Sequence, residues 1–143
     1  MSRHNSTTKP LRPQDYASLA AYRHALRQFL HFSTEAARTA GLSQQQYQVL
    51  LAIKSSPNDD LLTIGQLAES MLLRHNSTVG LVDRLVRRRL LRRVADGDDG
   101  RRVRIRLTAG GEKLLSRLAA IHRDELRRLG PQLVRSLQAL GVK

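Results

Sequence analysis

From Arg101 to Leu107 the chain alternates, with Arg101, Arg102, Arg104 and Arg106 interleaved with Val103, Ile105 and Leu107. A two-residue period belongs to a strand, so this stretch has one apolar face and one arginine face. Before it lies the turn-forming run Asp96-Gly97-Asp98-Asp99-Gly100, and before that Leu90 to Ala95. The simplest structure is a hairpin whose tip and edge carry guanidinium groups. Such a hairpin suits a polyanionic partner.

The segments upstream read as helices. Asp15 to Ala40 spaces Leu19, Tyr22, Leu26, Phe29, Leu30, Phe32, Ala36 and Ala37 at helical intervals, and Gly41 closes the helix. Ser43 with Gln46 forms a capping-box pattern for a second helix reaching about Lys54, and Pro57 to Asp60 is a turn. Thr63 with Gln66 repeats that pattern at the head of a short helix that buries Ile64, Leu67, Ala68 and Met71.

After a bend at Leu72 and Leu73, residues 74 to 88 carry Val79, Val82, Leu85 and Val86 on one face. His75, Asn76, Ser77, Gly80, Arg84, Arg87 and Arg88 take the outer faces. A recognition helix needs this division, since the apolar side is held by the core while short polar side chains near the N-terminus enter the major groove. His75, Asn76 and Ser77 can exchange hydrogen bonds with base edges or cap the helix start, and Gly80 permits close approach to DNA. Helix, turn, helix and basic hairpin together make a winged helix-turn-helix.

Charge agrees with this layout. The 143 residues carry a formal net charge of +13, and ten of 21 arginines fall between Arg84 and Arg106. A clustered patch concentrates a phosphate backbone, whereas scattered charge only solubilises. The aromatics Tyr16, Tyr22, Phe29, Phe32 and Tyr47 all precede that patch, leaving no stacking platform for single strands beside it. Duplex DNA is therefore the expected partner.

Other function classes find little support. The chain has no cysteine, which removes disulfides, thiolate metal sites and thiol switches. No apolar run approaches the ~20 residues that span a bilayer, so no membrane partner is expected and the expected location is cytoplasmic. Residues 1–14 are expected to form a disordered basic arm. Glu35, Glu69, Glu112, Asp124 and Glu125 are dispersed, so no enzyme, cofactor or metal site is expected. His24, His31 and His122 are expected at a surface or interface.

From Thr63 to Gly111 the chain resembles the MarR family of bacterial winged helix-turn-helix regulators. The likeness rests on Leu67-Ala68, Val82-Asp83-Arg84-Leu85, Leu90-Leu91 with Arg93, Asp99-Gly100-Arg101, and Leu107-Thr108 with Gly111. It implies a mainly α fold with a small β-hairpin wing, in which residues 15–40 and 108–140 are dimerisation helices and 43–107 the DNA-binding lobe. Residues 15–140 would then be a single domain.

Dimerisation has a reason of its own in the sequence. Thr108 to Leu129 carries Leu114, Leu115, Leu118, Ile121, Leu126 and Leu129, and a last helix after Gly130-Pro131 carries Leu133, Val134, Leu137 and Leu140. With the long first helix, this is more apolar surface than a small lobe can cover, and a second copy would cover it.

The resemblance further implies that Arg101 reaches the minor groove from the wing tip and that Asp99 orients Arg101 or Arg84. The DNA contacts expected from the residues and the resemblance together are Thr63, Arg74, His75, Asn76, Ser77, Thr78, Arg84, Arg87, Arg101 and Arg102. A cleft for a small aromatic or phenolic effector would involve Arg27, Phe32 and Tyr47, for which core packing is the alternative.

One position departs from the family pattern: Arg89 stands where glycine usually precedes the leucine pair. Either the helix ends differently there or a left-handed backbone is tolerated at a cost of about 1 kcal/mol. The expected function is a homodimeric, sequence-specific regulator of a palindromic operator, a repressor rather than an activator, relieved by a small ligand. The alternative is a basic architectural protein that binds DNA with little sequence specificity.

Overall fold

The protein is described by a computed structural model covering residues 9–57, 62–95 and 103–143. Among the described residues five helices and three strands follow one another: α1 (Pro13–Thr39), α2 (Gln44–Lys54), β1 (Leu62–Thr63), α3 (Ile64–Met71), α4 (His75–Arg87), β2 (Leu91–Ala95), β3 (Val103–Leu107) and α5 (Ala109–Ala139). The mainly α architecture with a β-hairpin wing is the one its sequence predicts.

The chain divides into two compact units. One comprises residues up to His31 together with Glu125–Lys143, and the other runs from Phe32 to Asp124. The unit holding the winged helix takes in the last eight residues of α1 and the first half of α5.

Local chemistry sets the helix ends. In both capping boxes the threonine or serine oxygen accepts an amide and the glutamine returns a bond to the cap. The Gln46 amide donates to Ser43 Oγ at 3.1 Å and the Ser43 amide to Gln46 Oε1 at 2.9 Å. Gln66 and Thr63 do the same at 3.2 and 3.0 Å. These bonds satisfy amides that a helix start otherwise leaves unpaired. Gly41 ends α1 in the left-handed region at φ 78°, where the Leu42 amide reaches back to the Ala37 carbonyl at 2.9 Å.

The strands form an antiparallel sheet in the order β1-β3-β2. Leu91 pairs with Leu107 and Arg93 with Ile105, while Leu62 of β1 pairs with Ile105 from the other side. The two-residue β1 has no sequence signal, because its strand pairing is long-range and Thr63 already serves as the α3 cap. Leu91, Ile105 and Leu107 join Val49, Leu50, Leu67, Leu81, Val82 and Leu85 in one core. That core fixes α4 and the hairpin to the same lobe.

Two expectations are corrected. The C-terminal region is one helix, since α5 passes through Pro131 rather than ending at Gly130-Pro131. An interior proline costs about 3 kcal/mol through its missing amide and its clash with the preceding turn. Leu129 and Ser136 on either side of it are buried, and packing outweighs that local cost. His122 is not a surface side chain, although His24 and His31 are exposed. Its ring stacks on Tyr47 with centroids 4.2 Å apart, and Phe32 meets it edge-on. Its Nδ1 lies 2.7 Å from the Leu118 carbonyl, which can only accept, so Nδ1 is the donor and Nε2 faces Ser33 Oγ at 2.8 Å.

Candidate nucleic-acid interface

The recognition-helix candidate α4 is held by one face. Leu81, Val82 and Leu85 are buried in the core, while His75, Asn76, Ser77, Arg84 and Arg87 are exposed. The N-cap residue is Arg74, and it makes no side-chain capping bond. The first-turn amides of α4 therefore keep their donor capacity and its positive dipole end, in the turn that exposes His75, Asn76 and Ser77.

Thr78 belongs to a different set. Its side chain is fully buried, and its hydroxyl donates to the Arg74 carbonyl at 3.0 Å. Its place is in the lobe's interior, and the expected DNA contact at Thr78 is corrected on that ground. Helical spacing was the signal that could have found this, because residue 78 lies one turn before Val82 on the core-facing side.

The turn leading into α4 is also defined. Leu72 sits in the left-handed region at φ 54°, and the Leu73 amide bonds the Ala68 carbonyl at 3.0 Å. Thr63 is half-buried, with its hydroxyl engaged by Gln66. Thr63, His75, Val103 and Arg104 line one cavity of about 480 Å³. Arg104 is thus brought beside two expected contacts, and the period-two arginine face of β3 was the signal that could have found it.

Arg88 and Arg93 of the cluster have structural partners. Arg88 donates to the Gly41 carbonyl, tying the end of α4 to the end of α1. Arg93 on β2 pairs with Asp83 on α4, locking helix to wing. Both Asp83 and Arg93 belong to the motifs that carried the family resemblance, but neither role is visible without the fold. Arg101, Arg102 and Asp99 lie outside the described residues.

Electrostatically the region is one-sided. Residues 62–95 and 103–107 hold nine arginines against the two acids Glu69 and Asp83, and Asp83 is already paired. Such a surface attracts a polyanion over distances of a Debye length, about 8 Å at physiological salt. Among the described residues no helix is long and apolar enough to cross a membrane, and no cluster of His, Asp or Glu could hold a metal ion.

Of the three expected effector-site residues, Phe32 and Tyr47 both meet the His122 ring. Phe32 lines a cavity of about 590 Å³ with Ala36, Leu114, Leu118 and Ile121, edged by Glu35 and Arg117. Tyr47 is buried against His122, as the core-packing alternative has it. Arg27 is exposed and belongs to the other unit.

Comparison with known proteins agrees with this geometry. Residues 40–102 match the MarR family model. An uncharacterised HTH-type transcriptional regulator of Bacillus subtilis (strain 168), YsmB, is 36% identical over 66 residues, which are 46% of this chain and 45% of that protein's length. A MarR family protein from Bacillus stearothermophilus superposes with a TM-score of 0.72 at 25% identity, covering 84% of this chain and 82% of its own. The DNA complex of Staphylococcus aureus MepR superposes with a TM-score of 0.68 at 22% identity, covering 78% of this chain and 79% of its own.

Proposed function

We propose, for a chain whose residues 40–102 belong to the MarR family of winged helix-turn-helix proteins, that it is a sequence-specific regulator of transcription acting on duplex DNA. The observation that carries this reading is the first turn of α4, which receives no capping bond from the Arg74 side chain and presents His75, Asn76 and Ser77 on a helix anchored by Leu81, Val82 and Leu85. Asn76 would read a base edge, and Arg74, Arg84, Arg87 and the wing arginines Arg101 and Arg102 would hold phosphates or the minor groove. MepR, which shares the fold, is seen bound to DNA.

The active species in this reading is a homodimer on a palindromic operator. Exposed Tyr16, Leu19 and Leu30 of α1 and Leu126 and Val134 of α5 support it, because a second copy would cover them. Two α4 helices would then enter major grooves one duplex turn apart, ~34 Å. We further read the protein as a repressor, relieved when a small apolar or aromatic ligand fills the cavity beside Phe32.

Selection of bound duplexes from a random pool at about 150 mM salt tests the central claim, since backbone contacts are then screened enough for base readout to emerge. A palindrome with half-sites about one turn apart is the expected result. Recovery of random or merely A·T-rich duplexes would replace the proposal with the architectural reading. Within the selected site, Asn76→Ala is expected to lower the ratio of specific to non-specific affinity, and Arg101→Ala to weaken binding.

A further inference from the structure

The register of the hairpin sets Arg92 of β2 directly opposite Arg106 of β3. Both are exposed, and neither forms an ion pair with a described residue. Directly opposed side chains in an antiparallel pair have Cβ atoms about 5 Å apart, where like charges destabilise the sheet. Leu91, Ile105 and Leu107, buried on the other face, fix this arrangement, because slipping the register by one residue would expose them.

Arg93 points the opposite way from Arg92 and meets Asp83 on α4. The Arg92–Arg106 pair therefore occupies the sheet face opposite the Arg93–Asp83 contact with α4. Its neighbours on that face are Val94, Arg104 and, on β1, Thr63, with no acid among them. Folding gains nothing from two opposed guanidinium groups, whereas an anion between them turns the repulsion into two charge-assisted contacts.

We propose that Arg92 and Arg106 form a second docking surface for the phosphate backbone of duplex DNA, outside the groove that α4 enters. This inference rests on the DNA-binding reading. The same lobe already presents α4 to a duplex, a polymer with one negative charge about every 1.7 Å of its axis, so DNA flanking the operator is the polyanion at hand. The arginine fork suits phosphate oxygens, and binding there adds affinity without adding sequence information.

The test compares a duplex limited to the selected operator with one extended by about ten base pairs on each side, for the wild type and for the double variant Arg92→Gln with Arg106→Gln. Wild type is expected to bind the extended duplex about five-fold or more tighter at low salt, and the double variant to bind the two alike. The slope of log affinity against log salt on the extended duplex should fall by about 0.9 for each phosphate that the variant no longer neutralises. Thermal unfolding without DNA should show the variant no less stable than wild type, since a repulsion has been removed. The variant Arg92→Lys with Arg106→Lys should restore the length dependence.

Three outcomes overturn the inference. A wild type that binds short and extended duplexes equally overturns it alone, leaving operator binding intact. So does a glutamine variant that keeps both the length advantage and the salt slope, in which case the pair serves only to keep the β2 edge from pairing with other chains or faces an acidic protein. A wild type that binds no duplex overturns the DNA reading and this surface with it.

Discussion

The Leu90 carbonyl occupies the space that a side chain on residue 111 would need: a methyl group on Gly111 would stand 2.1 Å from that oxygen. The same carbonyl accepts the Thr108 amide at 3.1 Å. Thr108 Oγ1 in turn donates to the Arg89 carbonyl at 2.6 Å and accepts the Gly111 amide at 3.0 Å. The end of α4, the start of β2 and the start of α5 are laced together through three backbone positions. Gly111→Ala must push this junction apart, and the expected cost is about 2–3 kcal/mol, read as a lowered urea midpoint with unchanged slope.

Arg89 is the second strained point of that junction. It takes a left-handed φ of 60°, its amide bonds the Val86 carbonyl at 2.9 Å, and the Leu90 amide bonds the Leu85 carbonyl at 3.0 Å. This is a Schellman ending, with arginine at the position where glycine is least strained. Of the two possibilities open from sequence, the left-handed backbone is the one realised. Arg89→Gly is expected to raise stability by about 1 kcal/mol, measurable by chemical denaturation.

Gly80 separates folding from DNA binding. A methyl group there would meet only the flexible tip of Arg84, at 3.8 Å, so the free protein has room for it. Gly80→Ala should therefore stabilise α4 by about 1 kcal/mol through helix propensity. If the backbone of α4 approaches DNA at this point, the same variant binds the selected operator about ten-fold more weakly, a loss of about 1.4 kcal/mol. Equal or improved affinity would show that Gly80 does not face the duplex.

Burial of Tyr47 raises its phenol pKa above the ordinary 10.0. The folded state then holds the phenolic proton more tightly than the unfolded chain does. Stability contributed by the neutral phenol is whole below pH 10.0 and is lost as pH rises through the raised folded value. Thermal midpoints measured from about pH 9 upward should fall more steeply for wild type than for Tyr47→Phe.

Short-range chemistry was legible without a structure. The capping boxes at Ser43 and Thr63, the glycine end at Gly41, the apolar face of α4 and the alternation of β3 each involve residues within a turn or two of one another. The MarR resemblance added the order of these pieces. What went unread depended on distant partners: β1 pairing with β3, Asp83 reaching Arg93, Arg88 reaching Gly41, and His122 stacking on Tyr47.

By itself, then, the sequence determined the elements and the basic character of the lobe, because hydrophobic period, caps and charge are properties of neighbouring residues. Tertiary structure decided that α5 runs unbroken through Pro131 and that Arg89 stays left-handed. In each of these cases local preference and long-range packing compete. Burial of Leu129 and of the Leu90 and Leu91 pair outweighs local costs of about 1–3 kcal/mol, and only the folded arrangement shows where that burial occurs.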